Sequence, residues 1–482
     1  MGITAKCAYL SGMIRKHGIK GLLIKVHESR KEPVDRDYAK NWQKYMVTPE
    51  EWKVQRNTMF EHMPLISVVV PAYETPANFL EALMESMASQ SYENWELCIA
   101  DGSPSEAVAC QVKKFQQHEP RIKYRHLTKN GGISENTNEG LEMAIGEYIG
   151  LLDHDDVLAS NALYEVARMI NAHPDCDVVY SDEDKIDVSG KVHSRPHLKL
   201  DYNKELLLHY NYICHFLVIK NTMLAHVGSL HTDFDGAQDY DLVLRLADET
   251  DRFYHIHKIL YHWRVHEHST AGSSLSKDYA YTAGKRALEA YVKRNHIKAK
   301  VAETKGHASY DIVYEKVTDA VTWIDCKDIH TSEELNARLL ETKDNYIFLW
   351  DSSKVKSVRE QVVQRLMNLC AQRRIGMVGV RFARRHKLVS AGIGMTPEGG
   401  YDYLYQNLPV CFKGYFGRAT VPQDIEAVSM EACLIRREAY INTGSIDISQ
   451  RVIPMALDYA RRMRGAGYEV VLDAEVTLGY RG

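Results

Sequence analysis

The clearest pattern in the chain begins at Leu65. Leu65-Ile66-Ser67-Val68-Val69-Val70 is a nearly unbroken apolar run closed by Pro71. A run without polar alternation predicts a strand buried on both faces of a sheet. Thr75-Pro76 then offers a capping residue and a first-turn proline. Phe79, Leu80, Leu83, Met84 and Met87 follow at helical spacing and make one buried stripe. Glu96 to Ala100 predicts a second strand ending in Asp101-Gly102-Ser103. Ile122 to Leu127 predicts a third, followed by the turn Asn130-Gly131-Gly132 and a helix. Tyr148 to Leu152 predicts a fourth, ending in Asp153-His154-Asp155-Asp156. Strands alternating with helices mean βαβ units, so the fold class is α/β with a mostly parallel sheet.

Upstream, Ile3, Cys7, Leu10 and Ile14 recur at the helical period, and six basic residues against Glu28 give residues 1–30 a charge of +5. Two readings stand: peripheral membrane contact through residues 1–30 on an anionic surface, or a helix packed on the domain behind it with its lysines in water. Residues 31–63, with Trp42, Tyr45, Pro49 and Trp52, read as a helical connector.

Length and composition narrow the setting. At 482 residues the chain exceeds one ordinary core, with roughly 100–200 residues to a domain. A hydrophobic share of 45% with 26% charged residues excludes a disordered chain. The net charge of −4 argues against a nucleic-acid partner. No uncharged apolar run reaches the roughly 18 residues of a membrane span, and no secretory leader is evident. Nine scattered cysteines without a CxxC pair read as reduced thiols of a cytoplasmic protein. There is no GxxxxGK[ST], and no GxGxxG follows the first strand, which removes P-loop and dinucleotide-binding chemistry.

In open α/β sheets ligands bind beyond the carboxyl ends of the strands, where Asp101 and Asp153 stand. Asp153 and Asp155, two apart in extended backbone, point the same way. Two such oxygen ligands suit Mg2+ or Mn2+ with positions left for substrate phosphates. The plain alternative is an acidic turn capping the helix that begins near Ser160.

Seven segments, taken in order over about residues 60–300, carry a resemblance: Val70-Pro71-Ala72-Tyr73-Glu74, Asp101-Gly102-Ser103, Asn130-Gly131-Gly132-Ile133-Ser134, Leu152-Asp153-His154-Asp155-Asp156, Tyr180-Ser181-Asp182-Glu183-Asp184-Lys185, Gln238-Asp239-Tyr240-Asp241 and Tyr261-His262-Trp263-Arg264-Val265-His266. The chain resembles a family 2 glycosyltransferase of the GT-A fold, closest to bacterial rhamnosyltransferase-like enzymes of O-antigen, capsule or wall polysaccharide. The resemblance implies an inverting, metal-dependent transfer from a nucleotide-diphospho-sugar, UDP- or dTDP-linked, to a growing lipid-linked glycan. That places the chemistry at the cytoplasmic face of the membrane. No residue speaks for rhamnose itself.

By the same resemblance, Ala72, Tyr73, Glu74 and Asp101 hold the donor's base and ribose, and Asp153 faces ribose and metal. Asp155 and His266 ligate the cation, and Arg264 and Ser269 hold the diphosphate. Asp239 is the base that takes the acceptor proton, although a carboxylate there also suits a helix N-terminus. Gln238 stands where the family usually has Glu. With Asp182, Glu183 and Asp241 it is assigned to the acceptor side; the other reading of Asp182 to Asp184 is a solvated acidic loop. The histidines around His262 invite zinc, but no helical i, i+4 pair lies beside a glutamate.

The last third repeats the first domain weakly. Tyr346 to Asp351 echoes Tyr148 to Asp153, Ala432 to Arg436 echoes His215 to Ile219, and Thr443-Gly444-Ser445 echoes Val227-Gly228-Ser229. Ser353 replaces Asp155 and Ala456 replaces Asp239, while Asp351 and Asp458 persist. The domains read as an arm and connector (1–63), a catalytic GT-A domain (64–305) and a truncated, non-catalytic GT-A-like α/β domain (306–482). The last would bind glycan, the first domain or other polysaccharide-synthesis proteins. Two other functions compete: a glycan-binding or assembly subunit without catalysis, and a sugar nucleotidyltransferase, whose usual glycine-rich basic loop is replaced here by Ala72-Tyr73-Glu74-Thr75.

Overall fold

The computed structural model describes residues 34–266, 274–304, 309–396 and 399–481. The basic segment 1–30 and Ser269 lie outside them.

Nine strands build the first sheet: β1 (Ile66–Ala72), β2 (Trp95–Asp101), β3 (Ile122–His126), β4 (Tyr148–Leu151), β5 (Val157–Leu158), β6 (Val178–Ile186), β7 (His193–His197), β8 (Leu217–Lys220) and β9 (Phe253–Arg264). Their order is β3-β2-β1-β4-β8-β6-β9-β5, with β7 beside β6. The first four pair in parallel. β8 runs antiparallel between β4 and β6, and β6 pairs with β9 in parallel. The sheet is parallel through its first half and mixed beyond it. Every residue of β1 is buried. Ile66, Val68 and Val70 pack into one core and Val69 into the other, so the strand lacks polar alternation because both faces are covered. Each such side chain contributes about 1.5–3 kcal/mol.

The helix Ala77–Ala88 buries the stripe expected of it, Phe79, Leu80, Leu83, Met84 and Met87. Its start differs from the sequence reading. Pro76 is the residue before the first turn and no side chain caps it; the Thr75 hydroxyl hydrogen-bonds with His154 Nδ1 instead, at 2.9 Å. Tertiary pairing has taken the residue that local chemistry would have used as a cap.

Asp182, Glu183 and Asp184 also differ from a solvated loop. They continue β6 and are buried, because each carboxylate finds donors there. Asp182 accepts from the Lys199 N–H (2.7 Å) and His255 (2.9 Å). Glu183 takes Lys185 (2.9 Å) and Lys199 (3.3 Å). Asp184 takes Tyr38, His193 and His262 at 2.6–2.7 Å. Tyr38 belongs to the connector helix Val34–Asn41, and Trp42 stacks on His193 at 3.8 Å. These contacts pin the connector against β6 and β7.

The hairpin β10 (Ala299–Glu303) and β11 (Tyr310–Tyr314) delivers Val301, Tyr310 and Ile312 to the first core. A domain boundary at 305/306 therefore falls inside a hairpin that packs with the first domain. Beyond it come β12 (Val321–Asp325), β13 (Tyr346–Trp350), β14 (Ile375–Arg384), β15 (Lys387–Ser390), β16 (Ile393–Met395), β17 (Tyr401–Tyr403), β18 (Gln423–Asp424), β19 (Ala432–Arg436) and β20 (Glu469–Gly479). The second sheet has the order β12-β13-β19-β14-β20-β18, with β15 on β14, and β16 and β17 pair apart.

Strand for strand, β12-β13-β19-β14-β20 with β15 reproduces the order of β1-β4-β8-β6-β9 with β7, and each pairing keeps its sense. Among the described residues this sheet has no partner for β2 or β3, the strands that carry Asp101 and its neighbours. The two sheets meet along residues 196–205. Asn203 exchanges hydrogen bonds with the Asp424 backbone (2.8 and 3.0 Å). Tyr415 and Arg418 donate to the carbonyls of Pro196 and Leu198. Phe416 stacks on His197 at 3.9 Å.

Candidate active site

Parallel pairing places Ala72 in register with Asp101, so the turns after β1, β2 and β4 open on one rim. Tyr73 and Glu74 stand exposed at its mouth, Glu74 with a positive φ of 45°. Asp101 is fully buried. The Ser103 N–H (2.9 Å) and hydroxyl (2.5 Å) donate to one of its oxygens, and the Tyr124 hydroxyl (2.7 Å) to the other. The Ser103 hydroxyl in turn accepts the Glu74 N–H at 2.7 Å. Asp101 thus joins the two turns, and Tyr73 and Glu74 are the groups presented outward. Gly132, with φ 91°, opens the helix Ile133–Met143 on the same rim, a backbone region that favours glycine.

The Asp153–Asp156 turn is held from β9. The Tyr261 hydroxyl donates to Asp156 Oδ2 (2.5 Å) and accepts the Asp153 N–H (3.3 Å). The Arg264 N–H donates to Asp156 Oδ1, and Arg264 Nε to the Asp155 carbonyl, both at 2.7 Å. His266 Nε2 donates to the Asp155 carboxylate at 2.7 Å. The Arg264 guanidinium also reaches the Val188 carbonyl (3.2 Å) and lies over the Phe79 ring. It is buried beneath the turn and spreads over backbone carbonyls.

Asp153 keeps 38% of its side chain exposed, with His215 Nε2 3.9 Å away. The surrounding protein, then the charges of Asp155 and Asp239, raise its carboxyl to about 7. Asp239 enters at the start of the helix Gln238–Glu249. Burial pushes its carboxyl up to about 6 and Glu183 adds to this, against the pull of backbone N–H groups and Asn211; Asn211 Nδ2 donates to it at 2.8 Å. Three carboxylates, Asp153, Asp155 and Asp239, therefore crowd one rim. With His266 on Asp155 and His215 near Asp153, the set offers the oxygen donors a hard divalent cation requires.

The other assigned residues divide. Glu183 borders this rim: the His215 N–H donates to it at 3.3 Å. Its other oxygen is 3.9 Å from His197, and Lys185 lies 3.3 Å from the Trp263 ring centroid. Asp182 faces Lys199 and His255 inside the sheet. Gln238 Oε1 accepts the Gly236 N–H at 2.9 Å and shapes the loop before Asp239. Asp241 is not brought to the rim. It is 1% exposed and accepts from Arg245 Nε at 2.9 Å, while Arg245 also donates to the carbonyls of Val227, Gly228 and Ser229. The second domain repeats this latch: Arg462 donates to Asp458 at 2.8 and 3.0 Å and to the carbonyls of Thr443 and Ser445. Asp458 persists while Ser353 and Ala456 stand in place of Asp155 and Asp239, because the latch is a packing device.

Removing its first-domain carboxylate leaves Arg245 buried without its counter-charge. Asp241→Ala is expected to destabilise the domain by about 3–5 kcal/mol. Urea unfolding followed by tryptophan fluorescence checks this, and an unchanged midpoint refutes it.

Sequence reasoning passed over Tyr261, Asp156, Asn211 and His215. Tyr261 and Asp156 stand inside segments that were read as motifs, and their roles appear only when β9 is laid beside the turn after β4. The neighbouring histidines have carboxylate partners of their own. His255 and His257 lie on Asp201 (3.4 and 3.0 Å), and His262 lies on Asp184.

A family model described as Glycosyl transferase family 2 matches residues 67–228. An uncharacterised protein, y4gI, of Sinorhizobium fredii (strain NBRC 101917 / NGR234) is 30% identical over 475 residues, which cover 85% of this chain and 52% of that protein. The O-antigen biosynthesis protein RfbC of Myxococcus xanthus is 37% identical over 239 residues, 49% of this chain and 19% of that protein. The chain thus spans about half the length of the first relative and about a fifth of the second. Among solved structures, S. aureus TarS 1–349 in complex with UDP-GlcNAc aligns with a TM-score of 0.40 at 19% identity, over 47% of this chain and 66% of that one. The mannosyltransferase PcManGT from Pyrobaculum calidifontis, in complex with GDP-Man and Mn2+, aligns with a TM-score of 0.35 at 14% identity, over 56% and 84%. Among the described residues no helix is long and apolar enough to cross a membrane.

Proposed function

From the match of residues 67–228 to the model of Glycosyl transferase family 2, we propose that this chain transfers a sugar, with inversion, from a nucleotide-diphospho-sugar to a hydroxyl of a growing glycan. The observation that carries the reading is the convergence of Asp153, Asp155 and Asp239 on one rim. Asp239, with a carboxyl near 6, is ionised at neutral pH yet basic enough to accept a proton. It takes the proton of the acceptor hydroxyl as that oxygen bonds to the anomeric carbon. The bond from that carbon to the diphosphate oxygen breaks, and the nucleoside diphosphate departs. Asn211 orients Asp239, and Tyr73 and Glu74 border the base and ribose. Mg2+ or Mn2+ held by Asp153 and Asp155, with His266 at the side of Asp155, would neutralise the diphosphate charge. Arg264 acts by fixing the turn that bears Asp155.

The donor would be UDP- or dTDP-linked, and the acceptor a lipid-linked surface polysaccharide extended at the cytoplasmic face of the membrane. RfbC, named for O-antigen biosynthesis, supports the acceptor class. The second domain, with Ser353 and Ala456 in place of Asp155 and Asp239, serves without catalysis. Incubation with a panel of UDP-, dTDP- and GDP-sugars with Mn2+ tests the whole reading. Release of nucleoside diphosphate by at least one is expected, and no release with any donor or cation overturns it.

Phe416 extends the acceptor side of this reading. One face stacks on His197, the residue is 48% exposed, and His197 adjoins Glu183. A sugar seated on the open face would bury apolar area there, at about 25 cal/mol per Å2. Phe416→Ala should raise the acceptor KM roughly 3–10-fold with donor hydrolysis unchanged, measured by steady-state kinetics with the acceptor varied.

A further inference from the structure

The loop that leads into Asp239 is tied to the helix Ile133–Met143, which opens on the same rim. Asn138 exchanges hydrogen bonds with the Leu230 backbone. Its Nδ2 donates to the Leu230 carbonyl (2.9 Å) and its Oδ1 accepts the Leu230 N–H (3.0 Å). One turn nearer the rim, the Ser134 hydroxyl donates to Asp235 Oδ1 at 2.5 Å, with the His231 carbonyl 3.3 Å away. Ser134 is fully buried. Among the described residues it is the one group hydrogen-bonded to the Asp235 carboxylate. The other oxygen of Asp235 lies 3.1 Å from where a Cβ on Gly132 would stand, so the missing side chain leaves the carboxylate its place at the helix N-terminus, which favours negative charge. The helix Ser274–Arg294 backs the loop from the other side. Arg286 Nε donates to the Asp233 carbonyl at 3.1 Å, and the Tyr279 ring fills the space beside Gly236, whose φ is 92°. Gly236, Ala237 and Gln238 alone separate Asp235 from Asp239.

The second domain supplies a comparison within the same chain. Its helix Ser332–Glu341 precedes β13 as Ile133–Met143 precedes β4. Ser332, Glu333 and Asn336 repeat Ser134, Glu135 and Asn138, at the spacing that relates Asp351 to Asp153. Asn336 repeats the backbone staple: it donates to the Ile446 carbonyl and accepts the Ile446 N–H, both at 2.8 Å. Ser332 does something else. Its hydroxyl lies 3.2 Å from Asp447 Oδ1 and accepts the Ile448 N–H at 3.0 Å. The serine of the second copy thus stays with the start of its loop, next to Ile446. The serine of the first copy reaches the end of its loop, beside the helix that bears Asp239. In the second copy Ala456 stands at that place, on the helix Val452–Gly465. A staple common to both copies serves packing, as the latch of Asp241 and Arg245 does. A bond found in the copy that keeps the acid serves the acid.

We propose that Ser134 and Asp235 are positioning residues for sugar transfer: their bond fixes the loop that sets Asp239 against the donor side of the rim. The segment Asn130-Gly131-Gly132-Ile133-Ser134 is then the seat of that loop, with Gly132 making room for Asp235 and Ser134 holding it. This rests on Asp239 being the base. The bond itself carries no proton of the reaction. It sets the distance from Asp239 to the acceptor hydroxyl, and a misplacement on the order of 1 Å at such a group costs about 10^2-fold in rate.

Ser134→Ala and Asp235→Ala, made in the full chain, should each lower kcat roughly 10–100-fold and leave the donor KM within about threefold. The two combined should be no worse than either alone, because both delete one bond. Asp235→Asn, whose Oδ1 still accepts the Ser134 hydrogen, should recover most of the rate. Ser332→Ala in the second domain is the control and should keep the wild-type kcat. Hydrogen exchange over residues 230–239, followed without donor, should rise in Ser134→Ala. Exchange reads the tether whether or not any sugar is consumed. A wild-type chain that consumes no donor therefore removes the assignment of Asp239 as base, while the tether stands or falls on exchange. Unchanged exchange in Ser134→Ala overturns the proposal. So does raised exchange with unchanged kcat, a loss that falls on donor KM instead of kcat, or an equal loss in Asp235→Asn and Asp235→Ala.

Discussion

Asp239→Asn is expected to lower the transfer rate by about 10^2–10^4-fold, the range lost when a general base is removed, while leaving donor affinity nearly unchanged. The substitution keeps the shape of the side chain and its place beside Asn211, and removes the ability to take a proton. Wild-type transfer should also decline as pH falls through about 6, where the Asp239 carboxyl takes up its proton, and this acid limb should vanish in the residual activity of Asp239→Asn. The neighbouring Asp153, with its carboxyl near 7, is raised partly by Asp239. The limb therefore belongs to the pair, and a bound cation that holds Asp153 ionised would leave Asp239 to define it. Transfer to a glycan acceptor, followed from pH 5 to 8 at saturating donor, checks both expectations. A variant with wild-type turnover removes Asp239 from the chemistry.

The second large effect is expected at Asp155. Asp155→Ala deletes one carboxylate of the proposed cation site and the acceptor of the His266 hydrogen bond, while Arg264 keeps the Asp155 carbonyl and the Asp156 carboxylate. The turn should hold its shape and lose its charge. If the cation supplies several kcal/mol to the leaving diphosphate, its weakened hold should reduce transfer by roughly 10^2-fold or more, with partial recovery at high Mn2+. Titration of activity with Mn2+ and Mg2+ distinguishes this from misfolding. A variant whose activity stays low at every cation concentration but whose donor affinity equals the wild type would contradict the assigned role.

Local pattern revealed what local forces decide. Strand β1 and the helix after it follow from a continuous apolar run and a stripe at helical spacing, and both are present. The order of the acidic turns located the rim before any side chain was placed. What remained hidden depends on partners far away in the chain. Asp182 to Asp184 look like a loop because three consecutive acids favour water. They are strand because Tyr38, His193, Lys199, His255 and His262 arrive from other elements to pair them. Thr75 looked like a helix cap and was drawn to His154 across the rim. Asp241 looked like an acceptor-side acid of the segment Gln238-Asp239-Tyr240-Asp241. Its latch with Arg245 is recognisable only beside the copy made by Asp458 and Arg462. Asn211 gave no signal, and the motif that holds Tyr261 did not reveal its role, since one oriented amide or hydroxyl has no periodicity.

The position of β20 bears on how the molecule comes to be folded. The first sheet needs nothing beyond Arg264 to complete its strands, and its pairings join segments that emerge early in synthesis. The second sheet cannot close until its last strand exists, because Glu469–Gly479 lies in its interior between β14 and β18. A chain growing from its N-terminus therefore finishes one sheet while the other still waits, and long-range pairings of this kind form slowly. The ledge of residues 196–205 is in place first, and the loop bearing Tyr415 and Arg418 docks on a surface already built. The first domain can serve as a template for the second, so damage near Glu469–Gly479 should leave a folded first domain beside an unfolded second.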